Sequence, residues 1–340
     1  MASQSFARGP GTGPGRKDSE DAAVLSASGH LTERDRHLVR LVGQHRVLTT
    51  DQLCALGFGN IITARHRLGV LVRIGVLRRF RPRREIGSAP WHYLLGPVGA
   101  ALLGAEDRNE RKWAPQVRAD RQLALERSQR LAHMIGRNWF FVSLAAHARA
   151  GGGELRAWLN EAEAAAYGRD GLPLRLFDTR LPNPDGVGTW AEGAREVTFL
   201  LEFDTGSEHL PRLAGKLEDY GRLAAGLAEV EQVCPPLLFC FGGPRREQAA
   251  RRELAACQDA LALRVATAAL DPRLTCPAGA VWLPLAGGHT RQVQLIDLDA
   301  AMSDPRAEFR EQQARHRRER EREARAYQAA ADETEDPYGP

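Results

Sequence analysis

The stretch spanning residues 196–220, EVTFLLEFDTGSEHLPRLAGKLEDY, constrains the fold of this chain more than any other. Its first nine residues are rich in β-branched and aromatic side chains, which predicts a strand. Gly206 can adopt the positive φ of a tight turn, and a helix is predicted to begin near Ser207. Because side chains alternate along a strand, Glu202 and Asp204 share one face. Two carboxylates on an apolar strand are unfavourable unless they are paired, hydrated or metal-bound, so this strand predicts a site.

The size and charge of the chain indicate two domains in a cytoplasmic protein. A chain of 340 residues has room for two domains of about 100–200 residues each. The net charge is only +4, so the distribution of charge matters more than its sum. No apolar run approaches the roughly 18–20 residues that span a bilayer, which predicts no membrane partner. The N-terminus lacks the apolar segment of a secretory signal, and we expect a cytoplasmic location.

The cysteines form no metal-binding pattern. The five are Cys54, Cys234, Cys240, Cys257 and Cys276, and none belongs to a C-x-x-C pair. In a cytoplasmic protein such a scattered set predicts reduced thiols.

Lysine is rare in this chain. Lys17, Lys112 and Lys216 are its only lysines among 47 lysine and arginine residues. Because the two side chains are not equivalent at a site, a retained lysine is a candidate functional residue. Lys216 falls in the predicted helix that follows Asp204, which makes it the strongest of the three candidates.

Composition divides the chain into five segments. We predict a disordered tail over residues 1–29, a first folded domain over 30–104, a linker over 105–115 and an α/β domain over 116–300. Residues 301–340 complete the chain as a charged helix and tail. The charged helix, predicted over residues 305–330, interleaves opposite charges. It is typical of a solvated helix stabilised by pairs one turn apart, and an additional nucleic-acid-binding arm is the alternative.

The first domain has the pattern of a winged helix-turn-helix. One helix begins after Thr32, a second is capped by Thr50, and a third is predicted over residues 61–74. Strands over residues 76–80 and 91–95 follow, joined by an arginine-rich loop. Three short helices followed by a ribbon with a basic tip are typical of this class of DNA-binding domain.

The third helix and the ribbon are strongly basic. No acidic residue occurs between Ile61 and Arg84. Arginines here would contact phosphates, and side chains near the start of the third helix would reach base edges in the major groove. The predicted DNA-binding residues are Asn60, Thr63, Arg65, His66, Arg67, Arg78, Arg79, Arg81, Arg83 and Arg84. The alternative is a solvated basic face on a winged helix that binds another protein.

The second domain is predicted to begin with one long helix over residues 116–150. Glu126 and His133 lie two turns apart in it and would share a face. Strands are predicted next over residues 154–159 and 172–180, followed by Pro184 and Asp185 and a short extended piece that ends at Trp190. The strand carrying Glu202, a helix and an apolar strand over residues 236–241 complete the order. An apolar run of that kind indicates an interior strand.

This order, with its acids, resembles the PD-(D/E)XK nuclease fold, a restriction-endonuclease-like α/β fold. The resemblance implies that Asp185 and Glu202 are metal ligands and that Glu126 is the helical acid of that family. Asp204 stands where the family has its lysine, so Lys216 would supply the catalytic amine and Asp204 a further metal oxygen. The implied cofactor is Mg²⁺ or Mn²⁺, hard cations that carboxylates hold. The alternative is a structural ion-pair cluster.

The chain also resembles the plasmid replication-relaxation proteins over residues 31–241. The motifs are LTERD at Leu31, VLTT at Val47, LRRF at Leu77, WHYL at Trp91 and LEFDTGS at Leu201, with Lys216 and Tyr220. The family commonly has Glu-x-Asp-Arg-Gly-Thr in the last motif, where this chain has Thr205 and Ser207. His133 falls where relatives have a helical histidine, which implies a catalytic role.

The resemblance implies a protein of plasmid or integrative-element replication and relaxation. Its expected partners are double-stranded DNA and plasmid replication or mobilisation proteins, with a homodimer as one arrangement. Two functions remain open. One is a metal-dependent DNA-nicking or cleaving accessory, and the other is a non-catalytic winged-helix regulator whose nuclease-like domain is a scaffold.

Overall fold

The N-terminal part combines helices with a small antiparallel sheet. The computed structural model describes residues 22, 24–83, 87–170, 182–206, 209–229, 233–258, 263–285, 290–302 and 320. The first elements are α1 (Glu33–His45), β1 (Leu48–Thr49), α2 (Thr50–Gly57), α3 (Ile61–Arg73), β2 (Leu77–Phe80), β3 (His92–Leu95) and α4 (Pro97–Glu106). The strands form an antiparallel sheet in the order β1-β3-β2. Three helices and a ribbon appear in the order expected of a winged helix-turn-helix.

Threonine side chains fix the starts of α1 and α2. Thr32 accepts a hydrogen bond from the amide of Asp35, as predicted. At α2 the cap is Thr49, which accepts from the amide of Gln52, while the Gln52 side chain accepts from the amide of Thr49. The predicted cap, Thr50, is therefore the first residue of the helix, and both helices begin with a reciprocal capping box.

The segment expected to be a linker is folded onto the N-terminal core. It contains α5 (Glu110–Trp113) and a 3₁₀ turn (Ala114–Val117). Trp113 is 1% exposed and donates a hydrogen bond from its indole nitrogen to Asp107. One large aromatic side chain thus anchors a segment whose composition is polar.

The helix expected over residues 116–150 is two helices, α6 (Ala119–Glu126) and α7 (Leu131–Arg149). Between them the hydroxyl of Ser128 accepts a hydrogen bond from the amide of Arg130, and its carbonyl accepts from the amide of Leu131. Serine competes with the helical backbone for hydrogen bonds in this way. The prediction that Glu126 and His133 share one face of a single helix is therefore wrong.

The C-terminal part is an α/β structure around one mixed sheet, which confirms the predicted fold class. Its elements are β4 (Glu154–Asn160), α8 (Glu161–Asp170), β5 (Gly186–Glu192), β6 (Arg195–Asp204), α9 (Leu210–Glu229), β7 (Leu237–Phe241), α10 (Pro244–Gln258), β8 (Val265–Ala269), β9 (Leu283–Pro284), a 3₁₀ turn (Leu295–Asp297) and α11 (Leu298–Met302). The six strands lie in sequence order. The β6-β7-β8 core is parallel, and the flanking pairs are antiparallel.

Helices cover both faces of this sheet. Phe199, Leu201 and Phe203 of β6 pack with residues of α7 and of the 3₁₀ turn Leu295–Asp297. Leu200 faces the other side and packs with residues of α9 and α10. Glu202 and Asp204 follow Leu200 in the alternation, so they face α9 and α10, as the alternating pattern predicts.

The two parts contact each other through α7 and β4. Gln52 donates a hydrogen bond to the carbonyl of Ile135 at 2.9 Å, and Asn138 donates to the carbonyl of Val47 at 2.9 Å. The ring of His45, the last residue of α1, stacks on Trp158 of β4 with ring centroids 3.6 Å apart. The helix α7 therefore belongs to both cores.

Some predicted features lie outside the described residues. These are most of the N-terminal tail, the strand expected over residues 172–180 and, apart from residue 320, the charged helix over 305–330. Where the tail is described it departs from the prediction, since residues 24–28 are helical and Ala27 is buried in the N-terminal core. Cys54, Cys234, Cys240 and Cys276 are free thiols, as expected. In the described part of the chain, no helix has the length and apolarity to cross a membrane.

Candidate nucleic-acid interface and carboxylate site

The exposed face of α3 carries several of the predicted DNA-binding residues. Thr63, Arg65 and His66 are all exposed in the first turns of the helix. Asn60 is exposed as well, but its side chain caps α3 by accepting a hydrogen bond from the amide of Thr63 at 2.9 Å. Three residues are thus free to face a ligand, while Asn60 positions the start of the helix.

Arg67 has a structural contact rather than a free guanidinium. Its Nη2 lies 2.6 Å from Oδ2 of Asp35, whose side chain is completely buried. Burial would raise the pKa of Asp35, but the hydrogen bonds from Arg67 and Thr32 outweigh it and hold the pKa below the ordinary value. Arg67 therefore ties α3 to α1, and the predicted DNA contact has no support in the structure.

Three arginines line one cleft between α3 and the ribbon. The cleft has a volume of about 490 Å³, and its lining includes Arg65, Arg79, Arg81 and Trp91. The guanidinium carbons of Arg79 and Arg81 each lie 4.2 Å from the centroid of the Trp91 ring. Stacking on an aromatic ring holds a guanidinium in place while leaving its N–H groups available.

The remaining ribbon arginines are placed differently. Arg78 neighbours Arg79 on the strand and so faces the opposite side, where it donates a hydrogen bond to Gln122 of α6. Arg83 is exposed at the end of the described ribbon, and Arg84 lies outside the described residues.

Asp185 directly precedes β5, at one end of this interior strand of the large sheet. The pairing of Gly186 with Leu201 places Asp185 beside Glu202. One carboxylate oxygen of Asp185 lies 2.8 Å from Nε2 of His133, and the other accepts a hydrogen bond from the amide of Phe203 at 2.8 Å. Burial would raise the pKa of Asp185, but these contacts and the attraction of His133 hold it below the ordinary value.

Glu202 is bound by two residues of α9. Lys216 donates to one carboxylate oxygen at 2.8 Å, and the Tyr220 hydroxyl donates to the other at 2.6 Å. The two donors are four residues apart, so they lie on one helix face. Burial and the negative charge of Asp185 raise the pKa of Glu202 to about 7, against the opposing effect of Lys216 and Tyr220.

The structure therefore brings together His133, Asp185, Glu202 and Lys216, four of the six residues predicted for a catalytic metal site. Asp204 is on the same face of β6, but its carboxylate accepts from Arg246 at 2.8 Å and from the amide of Gly206. Glu126 is exposed at the last residue of α6. The structure gives neither of these two a contact with Asp185 or Glu202.

The donor set is compatible with a hard divalent cation bound partly through water. Within the described ranges, no three His, Cys, Asp or Glu side chains are grouped so that they could hold a metal ion by themselves. Mg²⁺, however, usually keeps several waters and is bound by one or two carboxylates together with substrate phosphate. Asp185 and Glu202 are adjacent and repel each other electrostatically, as the raised pKa of Glu202 indicates. A cation between them would relieve that repulsion, so the two residues fit such a site.

Three contributors were missed as site residues in the sequence-based prediction. Tyr220 has a detectable signal, since it stands one turn after Lys216 on the same helix face. Arg246 reaches Asp204 through tertiary packing, and no local pattern indicates it. Trp91 directly precedes β3, which pairs with β2, so the predicted ribbon could have placed it near Arg79 and Arg81.

The sequence profile of the family described as replication-relaxation matches residues 39–235, which is more than half of the chain. No curated protein matches the chain in sequence. Among solved structures, the restriction endonuclease FokI is similar at 12% sequence identity and a TM-score of 0.27, over 86% of this chain and 46% of that one. FokI bound to DNA is similar at 13% identity and a TM-score of 0.24, over 74% and 42% of the two chains. This chain spans less than half the length of these endonucleases, and at such TM-scores the likeness assigns neither activity nor site.

Proposed function

The chain belongs to the replication-relaxation family, and from that premise we propose that it is a double-stranded-DNA-binding protein acting in the replication or relaxation of a plasmid or integrative element. The surface that binds DNA is the exposed face of α3 together with the cleft beside the ribbon. Plasmid replication or mobilisation proteins are the partners that this role calls for, and self-association as a homodimer is measurable by light scattering of the purified chain.

The observation that carries this proposal is the convergence of Arg65, Arg79 and Arg81 on one cleft. No acidic residue occurs in the sequence between Ile61 and Arg84, although the exposed Asp51 borders the cleft. Three arginines on one cleft supply positive charge and N–H donors of the kind that bind phosphate groups. A merely solvated basic face would not need its arginines to converge in this way. Stacking on Trp91 reduces the conformational entropy lost by Arg79 and Arg81 on binding.

The test is the affinity of Arg65→Ala for duplex DNA at several salt concentrations. Losing one phosphate contact is expected to weaken binding several-fold and to reduce the salt slope by about one ion. Arg273→Ala is the matched control, because Arg273 is exposed and paired with Asp271 far from α3 in sequence. Equal affinities and salt slopes for wild type and Arg65→Ala would show that DNA is not bound at this cleft.

A second function is favoured by the carboxylate site: metal-dependent nicking or cleavage of DNA. Here Asp185 and Glu202 would hold Mg²⁺ or Mn²⁺, and His133 would keep Asp185 in its orientation. The cation, when bound, polarises the phosphoryl group and lowers the pKa of a bound water. Lys216, whose ammonium lies 2.8 Å from Glu202, would stabilise the negative charge that develops on the phosphate.

Nicking of supercoiled plasmid carrying the element's origin tests this second function. With Mg²⁺ or Mn²⁺, wild type should convert supercoiled plasmid to open circles, and Asp185→Asn and Glu202→Gln should not. Asp120→Asn, an exposed carboxylate on α6, should behave as wild type. Binding of the metal alone should also raise the melting temperature of wild type more than that of Asp185→Asn. If wild type nicks with neither metal, the non-catalytic alternative stands: a DNA-binding regulator whose α/β part is a scaffold.

A further inference from the structure

We propose that α3 reads duplex DNA through an apolar contact between Ile62 and a thymine methyl group, and that Gly69 lets the DNA approach the helix backbone. This inference rests on the proposed function, because it assigns a sequence preference to the same surface. Of the residues near the start of α3 that are predicted to reach base edges, Arg65 and His66 lie on the same exposed stripe as Ile62. The proposal adds Ile62 to them.

The helix α3 presents one stripe to solvent. At about 100° per residue, positions 62, 65, 66, 69 and 73 fall within a narrow arc, while Ala64, Leu68 and Leu71 face the core. Ile62, Arg65, His66 and Arg73 in this arc are exposed. The centre of the outward stripe is therefore Ile62 and Gly69, with cationic side chains beside them.

Packing within the protein does not require a glycine at position 69. A Cβ placed on it would meet nothing within 4 Å. Glycine in a helix interior is less stable than alanine because it loses more backbone entropy on folding. A glycine that is not needed for packing, in the middle of the outward stripe, fits a ligand that comes closer to the helix than a Cβ would allow.

Ile62 supplies apolar surface on a stripe that also carries basic and polar side chains. Its side chain is 77% exposed, one turn from Arg65. In the major groove, thymine is distinguished by its C5 methyl group, which proteins contact with apolar side chains. The positive charge of Arg65 beside Ile62 argues for a polyanion as the occupant, because an apolar protein partner would have to desolvate Arg65 and the polar ring of His66.

The experiment uses the full chain and one duplex of about 30 base pairs, selected by the wild-type protein from a randomised pool. The duplex is made in two forms, with thymine or with uracil, which lacks the methyl group. Wild type should bind the uracil form about three- to five-fold more weakly, the loss expected for one buried methyl contact. Ile62→Ala should bind the thymine form more weakly by a similar factor and should not distinguish the two forms.

Gly69→Ala tests the close approach independently. It should melt roughly 1–3 °C higher than wild type, because alanine favours the helix, and yet bind the duplex more weakly. Gly215→Ala is the matched control, since Gly215 lies inside α9 and a Cβ there also meets nothing within 4 Å. It should gain stability and keep its affinity.

The outcomes separate the inference from the function on which it rests. If wild type binds no duplex at low salt, DNA binding itself is wrong, and this inference with it. If wild type binds duplex but Ile62→Ala remains as sensitive to uracil as wild type, or the selected duplex has no thymine preference, the thymine contact is wrong while DNA binding stands. An unchanged affinity of Gly69→Ala would refute the close approach.

Discussion

At the scale of single residues, Asp185 and Glu202 are neighbouring carboxyl groups with opposite pKa shifts. Asp185 is held ionised by His133 and by the amide of Phe203, whereas burial and the charge of Asp185 raise the pKa of Glu202 to about 7. Like charges at close range do not ionise together easily. Near neutral pH the pair therefore carries a negative charge of between one and two units. A divalent cation would favour the form in which both carboxyl groups are ionised.

Glu202→Gln should change the dependence of stability on pH. The pKa of Glu202 is raised from 4.5 to about 7, so the folded protein keeps a proton that the unfolded chain releases. This contribution is fully present below about pH 4.5 and is lost as pH rises through about 7. Relative to Glu202→Gln, wild type should therefore lose free energy of unfolding between about pH 5 and 7. Denaturant titrations at intervals across this range measure the difference, and parallel curves for the two proteins would contradict it.

Alternation along a strand made part of the carboxylate site predictable. It placed Glu202 and Asp204 on one face, and the scarcity of lysine identified Lys216. That Glu202 and Asp204 bind different partners was not predictable, because Arg246, which binds Asp204, lies 42 positions further along the chain. Arg67 shows the converse, since its sequence neighbours are basic but its partner is a buried carboxylate on another helix.

At the scale of elements, the Asp35–Arg67 pair joins α1 to α3 beneath the exposed stripe. Asp35 also caps its own helix by accepting from the amide and hydroxyl of Thr32. One carboxylate thus fixes both the start of α1 and the position of α3. The orientation of the proposed DNA-reading helix depends on this buried ion pair.

Arg67→Ala should lower stability, whereas Arg65→Ala, two residues away on α3, should weaken DNA binding. Removing Arg67 leaves the buried Asp35 carboxylate without its cation, and breaking such a pair costs about 3 kcal/mol of unfolding free energy. Arg65 is exposed, so its replacement should change stability by less than about 0.5 kcal/mol while weakening DNA binding. Denaturation and DNA titration of both variants provide the check. Equal stability of the two variants would contradict the structural role of Arg67.

Most individual strands and helices could be predicted from the sequence, while the structure of the segments that connect them could not. The strand–turn–helix unit of β6 and α9 was recognised because apolar periodicity and Gly206 act locally. The break between α6 and α7 depends on one hydroxyl of Ser128, and the folding of the expected linker depends on the burial of Trp113. In each case a single side chain determines the local structure, although the surrounding sequence predicts a continuous helix in the first and a polar linker in the second.

At the scale of the whole molecule, α7 joins the N-terminal part to the sheet. It carries His133 to Asp185 at one end, and it binds the N-terminal part through Asn138. The carboxylate site and the N-terminal part thus share one rigid helix. No local pattern in the sequence indicates this sharing, because it arises from packing between segments about 90 positions apart.

His45 lies in the contact between the two parts and should make its stability sensitive to acid. It is fully buried against Trp158, and neither ring nitrogen has a hydrogen-bond partner. Burial, with the nearby charge of Arg137, lowers the pKa of His45 from 6.5 to about 3. A lowered pKa contributes stability that is present above about pH 6.5 and is lost as pH falls towards 3.

His45→Phe should therefore resist acid better than wild type. The phenyl ring can keep the stack on Trp158, while the two unsatisfied nitrogens and the titration are removed. Its advantage in melting temperature should grow as pH falls from about 6.5 to 5, and His30→Gln, at an exposed histidine, should follow wild type. A constant difference between His45→Phe and wild type over that range would mean that His45 titrates normally. The contact between the two parts would then admit water and protons, contrary to the buried stack.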